Sequence, residues 1–400
     1  MHLIVLEQAP SSRLGGQQIA LLDICRGLSK RGHSVSLLYT QEDNLLEQYK
    51  QFCSHVLKVN RYLINRPQYI FDFLADIWKV SRNIPFEKNS LVLSNQFHDT
   101  PFGSAFASYK NIPLVCYLHL PPPRKKLAAW RWNMDLKGLK DFIAFSNLGY
   151  QWSVGLKGVK HFITVSNYTK SDWVNSGYSK DIIDVVYNGV DLEVYKPADD
   201  FSKTRKEWNL SEDIRVISFV GRLDKAKGLE TIIKAFALLR KTHANTRLLI
   251  AGNPVNDGED YKKSLEKLST DLEIENHVKF LGHVTNTTSL YQVSDVTVLA
   301  SQWSEPFPRS ILESMACGTP VVASRIGGIP ESLTGEFQNG LFEPRNERDL
   351  SEALSRVINW REKDAQLGER CRRHISSKFS IEKMIDGIET VLGNILRGNS

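Results

Sequence analysis

Short runs of apolar residues recur along the chain, each followed by turn residues and then by a stretch with helical spacing. In the first half the runs are His2–Glu7, Ser34–Thr40, Leu91–Asn95, Pro113–His119, Phe162–Ser166 and Ile182–Tyr187, with a helical pattern over Gln17–Arg31. In the second half they are Val216–Val220, Arg247–Ala251, Val278–Leu281, Val296–Ala300 and Pro320–Ala323, separated by helical patterns at Leu229–Lys241, Tyr261–Asp271 and Pro308–Ala316. Strands that alternate with helices predict parallel sheets, so the pattern predicts two doubly wound α/β domains. The turn-rich stretches Tyr187-Asn188-Gly189-Val190-Asp191 and Tyr195-Lys196-Pro197-Ala198-Asp199-Asp200 suit the connection, which divides the chain at 187/188. Ligands of such sheets bind beyond the C-terminal ends of the strands, so a cleft between the two domains is the expected active site.

Composition narrows the class. The chain has 400 residues, 42% hydrophobic and 24% charged, within the ordinary globular range. Five scattered cysteines, Cys25, Cys53, Cys116, Cys317 and Cys371, form no C-x-x-C, which argues for reduced thiols and a cytoplasmic setting. The first residues lack the basic stretch of a signal peptide, and no apolar run approaches the length of a membrane span, so membrane contact is expected to be peripheral. Residues 1–187 carry 22 Lys/Arg against 14 Asp/Glu, whereas the remainder carries 29 against 31. A basic first half attracts an anionic surface or a phosphorylated acceptor, or is simply a solvated basic face.

Two absences bear on the chemistry. No two glycines are two apart, so a G-x-G-x-x-G dinucleotide fingerprint cannot be drawn, and no D-x-D is present to hold a divalent cation. The positive signal is the segment from Ser304 to Val322, in which Glu305 precedes a helix that opens near Pro308 and Glu313 lies within it. A helix N-terminus attracts a phosphate or sugar hydroxyls. The plain alternatives are a dipole partner for Glu305 and a surface helix charge for Glu313.

Glu305 and Glu313 reproduce the E-x7-E signature, and on it the chain resembles the retaining family 4 glycosyltransferases of the GT-B fold. Gly221-Arg222-Leu223-Asp224-Lys225-Ala226-Lys227-Gly228-Leu229 looks like the family's G-R-L-x-x-x-K-G segment, Asn188-Gly189-Val190-Asp191 like its hinge, and Gly15-Gly16 like its N-terminal glycine turn. The resemblance implies two Rossmann-like domains facing each other across a cleft: an acceptor-side domain at 1–187 and a nucleotide-sugar donor domain at 188–378. A last helix, about 379–396, crosses back to the first domain. It implies that Arg222 and Lys227 stabilise the departing diphosphate in place of a metal, that Glu305 and His119 hold the transferred sugar, and that Glu313 binds the ribose hydroxyls. The backbones of Phe307 and Arg309 would touch sugar or diphosphate, that of Val284 would read the nucleobase, and Gly15 and Gly16 would let backbone approach a phosphate. Pro306 and Pro308 replace frequent family glycines and remove two N–H donors from that loop. Ser166 resembles a family Val-Ser motif and equally suits a helix N-cap.

The implied activity is metal-independent, retaining transfer of a sugar from a nucleoside diphosphate, UDP favoured over GDP, to a saccharide or lipid-linked acceptor. No cofactor and no nucleic acid are expected. The setting implied is surface polysaccharide or glycolipid synthesis, cytoplasmic or at the inner face of the plasma membrane. The basic and aromatic stretch Pro121-Pro122-Pro123-Arg124-Lys125-Lys126, with Trp130-Arg131-Trp132, suits a lipid-phosphate acceptor or a membrane surface, or is a loop with a partly buried tryptophan pair. A nucleotide-sugar epimerase of the same fold and a non-catalytic sugar-nucleotide-binding protein are the alternatives.

Overall fold

The computed structural model describes residues 1–87, 89–123, 148–254 and 258–398. The chain forms two compact units, Met1–Tyr187 with Met384–Ser400 and Asn188–Lys383.

In the first unit seven strands, β1 (His2–Glu7), β2 (Ser34–Tyr39), β3 (His55–Lys58), β4 (Ser90–Ser94), β5 (Leu114–Leu118), β6 (His161–Thr164) and β7 (Ile183–Val185), lie in the order β3-β2-β1-β4-β5-β6-β7. All neighbours are parallel. Every residue of β1, β4 and β5 is buried, as expected for central strands covered by helices on both faces. Phe102, Phe106, Phe162 and Trp173 fill the space beside the sheet. The indole N–H of Trp173 donates to the Leu120 carbonyl at 2.9 Å, so this buried ring leaves no polar atom unmatched.

The second unit repeats the winding. Strands β8 (Arg215–Val220), β9 (Thr246–Ala251), β10 (Val278–Gly282), β11 (Val296–Leu299), β12 (Val321–Ser324) and β13 (Leu341–Phe342) lie in the order β10-β9-β8-β11-β12-β13, again all parallel. In both sheets the order reverses beside the first strand, at β1/β4 and at β8/β11, and those are the places where open α/β sheets leave room for ligands. The two doubly wound sheets agree with the sequence pattern. Edge strands β3 and β13 are additions: β3 has three half-buried residues and one exposed, and β13 spans only two, so neither carries an apolar run of its own.

The last helix runs from Ile381 to Arg397. From Met384 onward it belongs to the first unit and packs on the Gly16–Lys30 helix. Gly27 makes the close approach possible, because a Cβ there would meet the Ile385 Cδ1 at 2.1 Å. Arg31 adds an ion pair to Asp386 at 2.7 Å, and His33 meets Glu389 at 2.6 Å. Among the described residues, no helix is long and apolar enough to cross a membrane.

Candidate functional site

The loop after β8 and the loop after β11 leave neighbouring strands at the switch point of the second sheet. Asp224 opens a short 3-10 turn, Lys225–Lys227, by accepting from the Ala226 N–H at 2.6 Å. Gly228 closes it at φ +66°, where a Cβ would meet the Ala300 carbonyl oxygen at 2.1 Å. The Gln302 N–H then donates to the Ala226 carbonyl at 2.7 Å, locking the two loops side by side.

This arrangement brings Lys227 and Glu305 together. Lys227 Nζ forms an ion pair with Glu305 Oε1, and Ser301 Oγ donates to the same oxygen at 2.7 Å. Both side chains of the pair are largely covered, at 17% and 15% exposure, so water screens them less than an ordinary surface pair. Behind them, Gly327 carries the turn against Glu305 at φ +61°, and the Gly328 N–H donates to the Glu305 carbonyl at 2.7 Å. Arg222, half exposed, reaches Asp224 at 3.7 Å. A cation, a carboxylate and a hydroxyl therefore meet at one switch point, with the Arg222–Asp224 pair on the loop that carries Lys227, a set that suits a ligand both anionic and rich in hydroxyls.

Glu313 lies one layer deeper. The helix carrying it, Arg309–Ala316, starts after Pro308, which occupies the N-cap position, one residue later than the sequence suggests, and no side chain caps it. Glu313 is buried, not a surface helix charge: Oε1 faces Arg309 Nε at 3.3 Å and Oε2 accepts from the Tyr291 hydroxyl at 3.1 Å. Burial, then the Glu313 charge, holds the Tyr291 phenol far above its usual range, so it stays a neutral donor. Arg309 Nη1 donates to the Gly189 carbonyl at 3.2 Å, and Asn188 Nδ2 donates to the Phe307 carbonyl at 2.9 Å. Asn188-Gly189 and the segment around Phe307 are thereby one hydrogen-bonded piece. Phe307 is itself buried, edge-on to Phe379 at 5.3 Å. Val284, half-buried, packs against the cluster of Leu210, Val216 and Leu290.

In the first unit Gly15 is the N-cap of the Gly16–Lys30 helix, at φ +141°, and no side chain caps that helix. His119 follows β5 and is nearly buried, with its ring edge-on to Tyr117 at 4.3 Å. Ser166, fully buried, accepts from the Thr169 N–H at 3.1 Å as the N-cap of the Asn167–Asn175 helix. Arg124, Lys125, Lys126 and Trp130 lie outside the described residues. Among the described residues, no group of three or more His, Cys, Asp or Glu is placed to hold a metal ion.

Sequence reasoning missed Ser301 and Tyr291, which orient the two glutamates, and a network at the β1/β4 switch point. There Asn95 Nδ2 donates to Glu7 at 2.5 Å, Gln17 Nε2 donates to the Asn95 carbonyl at 2.7 Å, and Gln96 Nε2 donates to Gln17 Oε1 at 2.9 Å. Gln17 follows the glycine turn directly, so these bonds hold that turn on the sheet. The signal was a carboxylate ending the apolar run His2–Glu7.

Residues 14–194 match the model described as Glycosyltransferase Family 4, and residues 200–374 match Glycosyl transferases group 1. Over 215 residues the chain is 31% identical to the N-acetyl-alpha-D-glucosaminyl L-malate synthase of Bacillus anthracis, covering 54% of each chain. Over 178 residues it is 34% identical to the D-inositol 3-phosphate glycosyltransferase of Mycobacteroides abscessus, covering 44% of this chain and 39% of that one. The chain spans about half the length of the curated relatives it matches. Among solved structures, Anabaena HepE in complex with UDP-glucose superposes with a TM-score of 0.78 over 98% of this chain and 100% of that one, at 23% identity. The fold is therefore the GT-B fold.

Proposed function

Since the chain belongs to the family 4 glycosyltransferases, we propose that it is a retaining, metal-independent transferase that moves a sugar from a nucleoside diphosphate, UDP in preference to GDP, to a saccharide or lipid-linked hydroxyl. The observation that carries this reading is the Lys227–Glu305–Ser301 group at the second switch point, on a loop that also carries Arg222. Lys227 and Arg222 face the charge that grows on the diphosphate as the glycosidic bond breaks, and fixed cations there lower the barrier. Glu305, released from Lys227 as phosphate takes the ammonium, accepts from sugar hydroxyls. Glu313, held by Arg309 and Tyr291, offers its remaining lone pairs to the ribose diol. The acceptor attacks from the leaving-group face, and the departing phosphate oxygen takes its proton. That a HepE complex holds UDP-glucose supports UDP as the base-bearing half.

In this reading residues 188–378 bind the donor, and residues 1–187 with the helix after 379 serve the acceptor, with Gly15, Gly16 and His119 on that side. Polysaccharide or glycolipid synthesis at the cytoplasmic membrane face is the setting. The test is binding and slow hydrolysis of UDP- and GDP-sugars with EDTA throughout. One donor should bind to wild type, bind more weakly to Glu313→Ala, and be turned over at least about a hundredfold more slowly by Lys227→Met. Binding that requires a metal, or that ignores Glu313, overturns the reading.

A further inference from the structure

The helix Ile70–Asn83 buries Phe73, Asp76, Ile77 and Val80 against the first unit. A surface helix normally turns polar residues away from such a face. This one turns out Phe71, 77% exposed, with Leu74 at 55%, Trp78 at 54% and Ile70 at 44%. At about 100° per residue Phe71, Ala75 and Trp78 fall opposite the buried stripe, with Leu74 at their side. A single exposed apolar residue needs no explanation, but a continuous strip on one helix marks an interaction surface.

Cations frame the strip. The Arg82 guanidinium lies over the Trp78 ring at 4.2 Å, and Arg61 lies over Tyr69 at 3.4 Å. Lys79 projects beside the strip and donates to the Lys58 carbonyl at 3.0 Å. At the far end Lys110 Nζ donates to the Ser81 carbonyl at 3.3 Å and lies 4.2 Å over the Phe86 ring and 5.5 Å from the ring of Tyr109, itself 60% exposed. Asp72 is the one exposed acid on the helix, and Arg61 stands 3.9 Å from it.

We propose that this face of the Ile70–Asn83 helix docks onto an anionic lipid surface, with Phe71, Leu74 and Trp78 entering the headgroup region and Lys79, Arg82 and Lys110 meeting lipid phosphates. The sign of the rim selects the occupant. A second copy would set two basic rims against each other, whereas anionic headgroups complement them, and bulky aromatics framed by Lys and Arg suit the membrane interface. The residues of this strip are other than those of the basic and aromatic stretch at 124–132 in the sequence, and the proposal does not rest on the transferase reading.

The experiment is cosedimentation of the full chain with vesicles of phosphatidylcholine, alone or mixed with phosphatidylglycerol. Wild type is expected to bind the mixed vesicles preferentially and to release as salt rises. The triple variant Phe71→Ser, Leu74→Ser, Trp78→Ser should lose at least about tenfold in affinity with an unchanged circular dichroism spectrum. Lys79→Glu with Arg82→Glu, which leaves the apolar strip intact, should abolish the preference for phosphatidylglycerol, and it keeps the test alive if the triple variant does not fold. The proposal fails if wild type ignores both vesicle types, binds them equally, or binds as well after the replacements. It also fails if light scattering finds a dimer that the triple variant dissociates.

Discussion

Glu7 ends β1 at 3% exposure, and burial pushes its carboxyl up to about 7 despite the bond from Asn95. Asp99 nearby is also buried and held well above the carboxylate range, first by burial and then by Glu7. Between the unfolded value of 4.5 and about 7 the native state holds a proton on Glu7 that the unfolded chain has released. Stability from this group is therefore full below pH 4.5, falls as pH rises through that window, and levels off above about 7. The swing is on the order of 3 kcal/mol. In Glu7→Gln the amide cannot ionise, so the slope of denaturant midpoint against pH should flatten across that window; parallel slopes in both proteins would mean that Glu7 is already ionised when folded. The sequence shows such residues unevenly. Glu305, Glu313, Arg222 and Lys227 stand in a spaced pattern, but Tyr291 lies 22 positions before Glu313 and Ser301 is one serine in a loop. Their roles exist only once β11 and the Arg309–Ala316 helix are packed.

At the scale of elements, both sheets place hydrogen-bonded loops at their switch points: Gln17 to Asn95 in the first, Gln302 to Ala226 in the second. The continuous apolar runs made the central strands legible, because a strand buried on both faces needs no alternation. Edge strands β3 and β13 were not, because pairing with a neighbour, and not their own residues, defines them. Gly228 shows how little tolerance the second switch point has. Any side chain there meets both a left-handed backbone and the Ala300 carbonyl at 2.1 Å. Gly228→Ala should cost more than about 1 kcal/mol and push apart the loops that carry Lys227 and Glu305. The expected result is a lower melting temperature together with weaker binding of UDP-sugar. A variant with wild-type stability and binding would show that the loops can separate freely.

For the whole molecule, chain order and structural unit differ, since the first unit is completed by residues from the other end of the sequence. The last helix contributes Met384, Ile385, Ile388, Val391 and Leu392, all buried, to that unit. At roughly 1.5–3 kcal/mol for each buried side chain, the loss of five approaches or exceeds the 5–15 kcal/mol that typically holds a domain folded. Removing residues 384–400 should therefore unfold the first unit while the second, which keeps all six strands, retains its own transition. Amide exchange separates the two cases: protection should vanish from β1, β2 and β4 but persist in β8, β9 and β11. Protection persisting in both sheets would show that the first unit is stable without its returning helix. Protection lost from both would show that the two units fold as one cooperative body.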